Sequence, residues 1–320
     1  MSPNTINTLP EKAASVYIGL DISKAQLQLH CQNQQVVLSN NAEGHAVLIK
    51  RLRAVPGAHL VCEATGGYER CLVAALHAAN LPVSVVNPAQ VRHFALAQGR
   101  RAKNDPLDAA VLTAYGHAIQ PAPTPVPEPV LTQLRALVQW RDQLKEQLAR
   151  VRMQTEHLTL PFAQKQQTKL ITHLKKQMDD VEAELERILA LTPNVQAQVQ
   201  ALIELDGVGW ITALSVFTQM PELGKLNRGQ TAALAGLAPW TRQSGPWEGQ
   251  RHIGGGRAVV RRALYMSAVV LARKTETTLG KFYTRLRLAG KPAKVALTAV
   301  MRKLLIQMNK TLKDHALKTA

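Results

Sequence analysis

Four acidic side chains in the first third of the chain are the residues best suited to chemistry. Asp21 and Glu63 each interrupt an apolar, strand-like run, and a carboxylate in a buried strand is costly unless it is paired or binds a cation. Asp105 and Asp108 follow, three residues apart, and share one face if their segment is helical. Four converging carboxylates suit one or two hard divalent cations, Mg2+ or alternatively Mn2+, which assist phosphoryl transfer.

Each acid also has an ordinary structural interpretation. Asp21 could end a strand at a turn. Asp105 could cap a helix, with Pro106 at the first helical position and Asp108 completing a pair like that of a capping box. These interpretations are preferred for any one residue taken alone, but the order of the predicted elements favours a shared site for the set.

The hydrophobic pattern predicts a mixed sheet with helices on its faces. The elements, in order, are a strand from residue 16 that carries Asp21, strands near 25–32 and 34–39, a helix near 43–55, the strand with Glu63, a helix near 67–79, a strand at 83–86, and helices from 88 to about 118. The first and fourth strands can then be neighbours. Asp21 would lie beside Glu63, and a later helix would carry Asp105 and Asp108 over them.

Length and composition predict a protein of about two domains without a membrane segment. The chain has 320 residues and is 46% hydrophobic, enough for two cores. No stretch approaches the roughly 20 apolar residues of a membrane span, and the polar leader 1–12 lacks the apolar core of a signal peptide. We therefore expect a cytoplasmic protein. Cys31, Cys62 and Cys71 have no metal-ligand spacing, which predicts free buried thiols.

The positive charge predicts a nucleic-acid partner. The net charge is +17, and from Arg251 to the end 16 Lys and Arg residues face two acids. Because these cations alternate with apolar residues in predicted helices, they describe a folded basic surface rather than a detached tail. A basic surface without a ligand, or a contact with an acidic membrane, are the alternatives. The candidate nucleic-acid contacts are Arg242, Arg251, Arg257, Arg261 and Arg262.

Two changes of character divide the chain. Residues 121–129 alternate proline with other residues, which predicts an extended connector. Apolar residues then recur at three-and-four spacing on both sides of a break near Pro161, which predicts a coiled-coil hairpin. The predicted organisation is a catalytic domain at 15–120, the connector at 121–129, the hairpin at 130–192 and a helical domain at 193–320. The hairpin is a candidate surface for self-association.

Two loops of the last third are candidate sites. Gly207 and Gly209 separate two predicted helices and could present backbone N–H groups to a phosphate, as in a helix-hairpin-helix element; an ordinary turn between packed helices is the alternative. The segment 238–256 is long, glycine-rich and cationic. Within it, Ser244 lies near arginines that could neutralise charge if its hydroxyl attacked a DNA phosphate. A Ser-Gly pair is also a common turn.

Ordered motifs extend along nearly the whole chain, about residues 15–312. The first half carries Gly-Leu-Asp-Ile-Ser-Lys at 19–24, Cys-Glu-Ala-Thr-Gly at 62–66, Val-Asn-Pro at 86–88 and Lys-Asn-Asp-Pro-Leu-Asp-Ala at 103–109. The second half carries Leu-Asp-Gly-Val-Gly at 205–209, Leu-Ala-Gly-Leu-Ala-Pro at 234–239, Gln-Ser-Gly at 243–245 and Arg-Arg-Ala-Leu-Tyr-Met at 261–266. As an ordered set, these motifs resemble those of the DEDD-type insertion-sequence transposases, whose N-terminal domain is similar to the RuvC Holliday-junction resolvase.

The resemblance implies an α/β domain with an RNase H/RuvC-like sheet, followed by an all-α part, in a DNA recombinase. It implies that Asp21, Glu63, Asp105 and Asp108 bind Mg2+ and that Ser244 becomes covalently joined to DNA. It further implies a structured guide RNA and a homo-oligomer, a dimer or a tetramer on DNA. One branch of the family inverts DNA instead of transposing it. A metal-dependent Holliday-junction-type nuclease and a non-enzymatic DNA-architectural protein remain the alternatives.

Overall fold

A computed structural model describes residues 15–31, 34–99, 105–155, 158–241, 243–244, 247–249 and 251–319, with the backbone alone at 31, 105–107, 244, 247–248 and 319. The chain forms two compact units that divide between Val126 and Pro127. The division falls inside the proline-rich segment that the sequence predicts as a connector.

The first unit is built on a five-stranded mixed sheet. Its strands are β1 (Val16–Ile22), β2 (Gln26–Cys31), β3 (Gln34–Ser39), β4 (Ala58–Glu63) and β5 (Val83–Val86). The order across the sheet is β3-β2-β1-β4-β5; β2 is antiparallel to both β1 and β3, whereas β4 is parallel to both β1 and β5. The predicted mixed sheet, with the first and fourth strands side by side, is therefore confirmed.

Helices cover both faces of this sheet. They are α1 (Ala42–Arg53), α2 (Arg70–Ala78), α3 (Pro88–Ala97) and α4 (Asp105–Ile119). Because side chains alternate along a strand, β1 sends Ile18 and Leu20 into one core, with Leu48 and Leu72 of α1 and α2. It sends Tyr17 into a second core whose other members include Val61, Val91 and Leu112.

The first part of the proline-rich segment lies along the free edge of β5. The backbone N–H of Thr124 donates to the Val83 carbonyl (2.8 Å), and the Thr124 hydroxyl accepts from the Val85 N–H (2.9 Å). The Ser84 hydroxyl donates to the Ala122 carbonyl (2.8 Å). Residues up to 126 therefore belong to the first unit, where they cover an edge that would otherwise expose unpaired backbone groups.

The second unit begins with a helical hairpin. It consists of α5 (Pro129–Thr155) and α6 (Pro161–Ala190), which run antiparallel: Arg141 pairs with Glu182 (2.5 Å), and the Gln167 amide donates to the Val151 carbonyl (2.7 Å). The buried residues of α6 include a series spaced by seven, as a coiled coil requires: Gln167, Leu174, Val181 and Ile188. Coiled-coil self-association stays a prediction.

A helical bundle with two short β-ladders completes the second unit. The helices are α7 (Pro193–Ile203), α8 (Trp210–Gln219), α9 (Arg228–Leu234), α10 (Ala258–Arg273), α11 (Thr278–Leu288) and α12 (Ala293–Thr319). One ladder pairs β6 (Pro239–Trp240) with β9 (His252–Ile253), and the other pairs β7 (Gln243–Ser244) with β8 (Trp247–Glu248). Across the described parts of the chain, no helix is long and apolar enough to cross a membrane.

The close contact between β1 and α4 gives the first prediction. A Cβ added at Gly19 would collide with the Ala109 carbonyl oxygen and lie 2.5 Å from the Thr113 nitrogen. We expect Gly19→Ala to destabilise the first unit by about 1–3 kcal/mol, because backbone atoms of α4 must move. Hydrogen exchange of peptides covering 16–22 should report faster opening. Gly209→Ala is the control, since no atom lies within 4 Å of its added Cβ; equal protection in Gly19→Ala and wild type would contradict the prediction.

Candidate active site

Asp21 and Glu63 lie at the carboxyl ends of neighbouring parallel strands. The register pairs Gly19 with Val61 and Leu20 with Cys62, so Asp21 and Glu63 are the next residues along each strand. Both are partly buried. Since the strands are parallel and in register, the two carboxylates belong to the same face of the sheet and to the same edge of the unit, the one formed by the carboxyl ends of β1 and β4.

Helix α4 runs antiparallel to β1 across that face. Gly116 packs against Tyr17, and Ala109 and Thr113 pack against Gly19. The Thr113 hydroxyl accepts from the Gly19 N–H (2.9 Å). Following α4 back towards its N-terminus therefore leads along β1 towards Asp21.

The acids of α4 occupy its first turn. Asp105 is the first helical residue, and Asp108 follows three residues later and is partly buried. The antiparallel packing brings this turn to the end of β1 where Asp21 lies. The backbone thus directs all four acid-bearing segments to one edge of the first unit, as the sequence predicts for these segments.

Whether the four side chains hold a metal is a separate question. Among the described side chains, no group of three or more His, Cys, Asp and Glu is gathered closely enough to hold a metal ion. The side chain of Asp105 lies outside the described set. The donors themselves, carboxylate oxygens, are those that Mg2+ and Mn2+ prefer, so the chemistry of the residues fits such an ion and the site stays a prediction.

Glu69 supports the turn that follows Glu63, and sequence reasoning missed this residue. Its carboxylate accepts from the Thr65 N–H (3.1 Å), the Thr65 hydroxyl (3.0 Å) and the Gly67 N–H (2.9 Å). Burial raises the pKa of Glu69, but the hydrogen bonds from its own backbone and from Gly67 and Thr65 together lower it by more than burial raises it. The pKa of Glu69 therefore lies below its ordinary value. An acid two residues after a Gly-Gly pair was the available signal.

The cysteine next to Glu63 is not a candidate for catalysis. Burial, with the nearby charges of Glu69 and Glu63, raises the pKa of the Cys62 thiol to about 12. The thiolate, which is the reactive form, is therefore scarce. Cys62 and Cys71 are free thiols, and Cys62 is buried as predicted. The prediction of burial is wrong for Cys71, which is exposed because α2 buries Leu72, Val73 and Leu76 instead. The side chain of Cys31 lies outside the described set.

Ser244 lies on a β-ribbon rather than in an irregular loop. β6 pairs with β9 at the base of the ribbon, and β7 pairs with β8 farther along, where Ser244 is opposite Trp247. The segment 238–256, which the sequence analysis treats as a long loop, therefore has paired backbone on both sides of Ser244. The side chain of Ser244 and the whole of Arg242 lie outside the described residues.

The base of this ribbon is fixed to the helical bundle by two glycines and an arginine. Gly236 and Gly256 both have positive φ (66° and 58°), and a Cβ on either would collide with the other's segment. The Arg261 guanidinium donates to the carbonyls of Ala235 (2.8 Å) and Gly255 (2.6 Å). Because these contacts join the two ends of the ribbon, its base is held at one position on the bundle.

Three predicted nucleic-acid contacts have intramolecular partners. Arg257 donates two bonds to Glu222 (2.7 and 2.6 Å) and one to the Gln219 carbonyl (2.9 Å). Arg261 joins the ends of the ribbon, and the exposed Arg262 donates to Glu146 of α5 (3.0 Å). Arg251 is exposed. Arg257 and Arg261 therefore have a structural role, and nucleic-acid contacts at all four arginines stay predictions.

The Gly207–Gly209 turn joins α7 to α8. Gly207 has a positive φ of 74°, and a Cβ there would lie 2.8 Å from the Leu271 side chain of α10. Packing therefore accounts for Gly207. Gly209 has open space around its Cβ position and precedes the first residue of α8, where no side chain caps the helix. Its predicted phosphate contact is untested.

Comparison with known proteins identifies the family of the chain, with one match in each half. A family model described as transposase matches residues 18–163, and the model of the transposase IS116/IS110/IS902 family matches residues 199–284. The chain belongs to this transposase family. It is 29% identical over 303 residues to the pilin gene-inverting protein of Moraxella lacunata, covering 91% of this chain and 94% of the relative, and equally similar to that of Moraxella bovis. Its activity is accordingly DNA recombination.

The Arg257–Glu222 pair gives the second prediction. Burial raises the pKa of Glu222, but hydrogen bonds from Arg257 and its own backbone, with the charges of Arg257 and Arg135, lower it below 4.5. The side chains of Glu222 and Arg257 are 39% and 36% exposed, so solvent screening limits the contribution of the pair to about 1 kcal/mol. Since the folded-state pKa is lowered, this stabilisation is present above pH 4.5 and is lost as the pH falls through the folded-state value.

Arg257→Gln should therefore lower the stability of the second unit at pH 7, and the difference from wild type should shrink below pH 4.5. All four tryptophans lie in this unit, so denaturant unfolding followed by tryptophan fluorescence reports on it. Arg187→Gln, which breaks an exposed pair with Glu184 on α6, is the control and should change little. A deficit in Arg257→Gln that is the same at pH 3.5 and pH 7 would contradict the assignment.

Proposed function

We propose that this transposase cleaves and rejoins DNA with Ser244 as the nucleophile and with Asp21, Glu63, Asp105 and Asp108 as the ligands of Mg2+. The observation that carries the proposal is the register of β1 and β4 together with the antiparallel packing of α4, which directs the four acid-bearing segments to one edge. The position of Ser244 on a braced ribbon of the basic unit supports the choice of nucleophile.

The proposed chemical step conserves the energy of the phosphodiester bond. The Ser244 Oγ attacks phosphorus, a phosphoserine ester forms, and the bond from phosphorus to one deoxyribose oxygen breaks. The serine proton is lost and the departing oxygen gains a proton, so the number of phosphate esters is unchanged. Reversal with a different deoxyribose hydroxyl rejoins DNA without an external energy source. Mg2+ bound by the four carboxylates would supply neutralisation of the phosphate charge.

The residues of the chain divide this work between its two units. The carboxylates at the ends of β1 and β4 and on α4 would bind and orient the scissile phosphate through their cation. Gly236, Gly256 and Arg261 hold the ribbon base, and thereby limit the positions that Ser244 can reach. Such positional restriction contributes to rate because it replaces a search by an oriented encounter. We propose that a homo-oligomer, a dimer or a tetramer on DNA, is the active form.

Guidance by a structured RNA is a further part of the proposal. Two features support it: the chain belongs to this transposase family, and its net charge is +17. A surface of this charge would bind the phosphate backbone of RNA as well as that of DNA. Recovery of a defined RNA with the purified protein, and loss of recombination after nuclease removes it, would support this part. Full activity on DNA in RNA-free protein would contradict it.

Site-specific DNA inversion is the second candidate function. It is favoured by the similarity to two pilin gene-inverting proteins over 91% of the chain. The same serine and acid chemistry would serve inversion and transposition, which differ in the arrangement of the DNA ends. A plasmid that carries the DNA flanking the gene separates the two, because inversion keeps the segment in the same plasmid and transposition moves it.

Ser244→Ala should eliminate covalent protein–DNA product and recombination, because the only proposed attacking oxygen is removed while the ribbon backbone is kept. The measurement is a denaturing gel with a labelled suicide substrate, scored for a slowly migrating adduct. Thr241→Ala is the matched control: it removes an exposed hydroxyl from the same ribbon and should leave the adduct. Wild type that gives only free nicked DNA would favour a metal-dependent nuclease. An adduct that persists in Ser244→Ala would assign the attack to another residue and contradict the proposal.

A further inference from the structure

A cationic groove lies at the base of the Ser244 ribbon, within the second unit. Its volume is about 350 Å3, within the range of sites that bind small organic groups and too small for a turn of duplex. Its walls are the β6–β9 ladder and one face of α12, from Lys294 to Arg302. The groove is therefore formed by the same ladder that connects Ser244 to the bundle.

Cations line the groove from both walls: Arg251 comes from the ribbon, and Lys294 and Arg302 come from α12. The His252 imidazole also lines it. Among the side chains that the structure describes, no acidic residue lines the groove, and none of Arg251, Lys294 and Arg302 has an ion-pair partner. This contrasts with Arg257 and Arg262, whose acidic partners are in place. The free cations of the groove are suited to an anionic ligand.

The spacing of the cations suits a chain of phosphates. Lys294 and Arg302 are eight residues apart on one helix, which is about 12 Å along its axis. A stacked nucleic-acid strand carries one phosphate per about 3.4 Å of helical rise, so this distance covers at most about three to four nucleotides, and fewer where the strand is extended. A single phosphate or a free nucleotide would contact only part of the groove.

Apart from Thr298, whose hydroxyl donates to the Lys294 carbonyl within α12 (2.9 Å), the remainder of the lining is apolar, and part of it is exposed. Ile253 is 41% exposed and Val295 is 52% exposed, and both line the groove with Leu237, Pro239 and Ala299. Duplex DNA presents phosphates while its base faces stay stacked, so it would leave this apolar surface uncovered. An unpaired strand presents both phosphates and base faces, which is the combination that single-strand sites recognise.

We propose that this groove binds the phosphodiester backbone and an unpaired base of the DNA strand that Ser244 attacks. Phosphates would contact Arg251, Lys294 and Arg302, and the base would lie on Ile253 and Val295. Ser244 follows Pro239 by five residues, at most about 17 Å of extended chain, so a strand in the groove is within a few nucleotides of the ribbon serine. The inference rests on the proposed function for this role; the binding itself is independent of it.

Direct binding tests the proposal. The probe is a fluorescein-labelled oligothymidine of about 15 nucleotides, measured by anisotropy with full-length protein over a salt series. Lys294→Gln with Arg302→Gln should weaken binding at least tenfold and reduce the slope of log affinity against log salt by about 1.4, because single strands release about 0.7 counterion per lost contact. If the two substitutions only perturbed the fold, affinity would fall without a change in slope that matches the number of lost phosphate contacts.

The control removes the same charge from the same helix away from the groove. Lys313→Gln with Lys318→Gln changes two exposed cations of α12 and should keep the wild-type affinity and slope. Arg251→Gln, on the exposed ribbon, is the second groove variant and should reduce the slope by about 0.7. This variant tests the groove independently if the α12 double variant does not fold.

Two further probes, duplex DNA and oligouridine, identify the kind of nucleic acid that the groove binds. Duplex DNA of the same length should lose less affinity than oligothymidine in the groove variants. Equal losses would make the groove part of a general duplex surface, and a larger loss with oligouridine would assign it to RNA; either result overturns the proposal, as would an unchanged oligothymidine slope. Ser244→Ala should bind oligothymidine as wild type does, so failure of the serine chemistry and failure of the groove are distinguishable.

Discussion

The close approach of α4 to β1 is the contact on which the proposed acid site depends. Gly19 has no side chain at the crossing point, and the Thr113 hydroxyl accepts its backbone N–H while donating to the His30 carbonyl. A larger residue at 19 would push the helix away from the sheet. Because the first turn of α4 carries Asp105 and Asp108, any shift of this helix also moves two of the four acids relative to Asp21 and Glu63.

The second unit uses a comparable device to hold Ser244. Gly236 and Gly256 allow two backbone segments to approach where side chains would collide, and Arg261 connects the carbonyls on both sides. The Arg257–Glu222 pair fixes the start of α10 immediately after the ribbon. Arginines that suggest DNA contact by charge alone thus divide into those that hold the ribbon and those that face solvent beside it.

The sheet of the first unit was predictable from the sequence, because each strand carries four or more residues of clear pattern. The neighbouring positions of Asp21 and Glu63 followed from the order of elements. The ribbon around Ser244 was not predictable, since two-residue ladders are shorter than any alternating pattern that can be recognised. Prolines at 121–129 indicated extended backbone, but the bonds from Thr124 to β5 depend on residues about 40 positions earlier.

Long-range pairing also limited what could be said about individual charges. Arg257 and Glu222 are separated by 35 positions, and Arg262 and Glu146 by 116, so no local pattern links them. Glu69 was overlooked because its role is to bind backbone N–H groups in a turn with two positive-φ glycines, Gly66 and Gly67. Net charge correctly indicated the kind of partner, whereas the contacts of each arginine required the fold.

We propose that the carboxyl ends of β1 and β4, together with the first turn of α4, bind a divalent cation. Titration of the full-length protein with Mn2+, in the presence of branched DNA and followed by the loss of the free-ion electron paramagnetic resonance signal, tests it most directly. We expect Mg2+ to compete with Mn2+ for the site, and Asp21→Asn or Glu63→Gln to weaken Mn2+ binding at least tenfold. Asp180→Asn, an exposed acid of α6, should bind as wild type does. Equal Mn2+ affinity in wild type, Asp21→Asn and Glu63→Gln would contradict the claim.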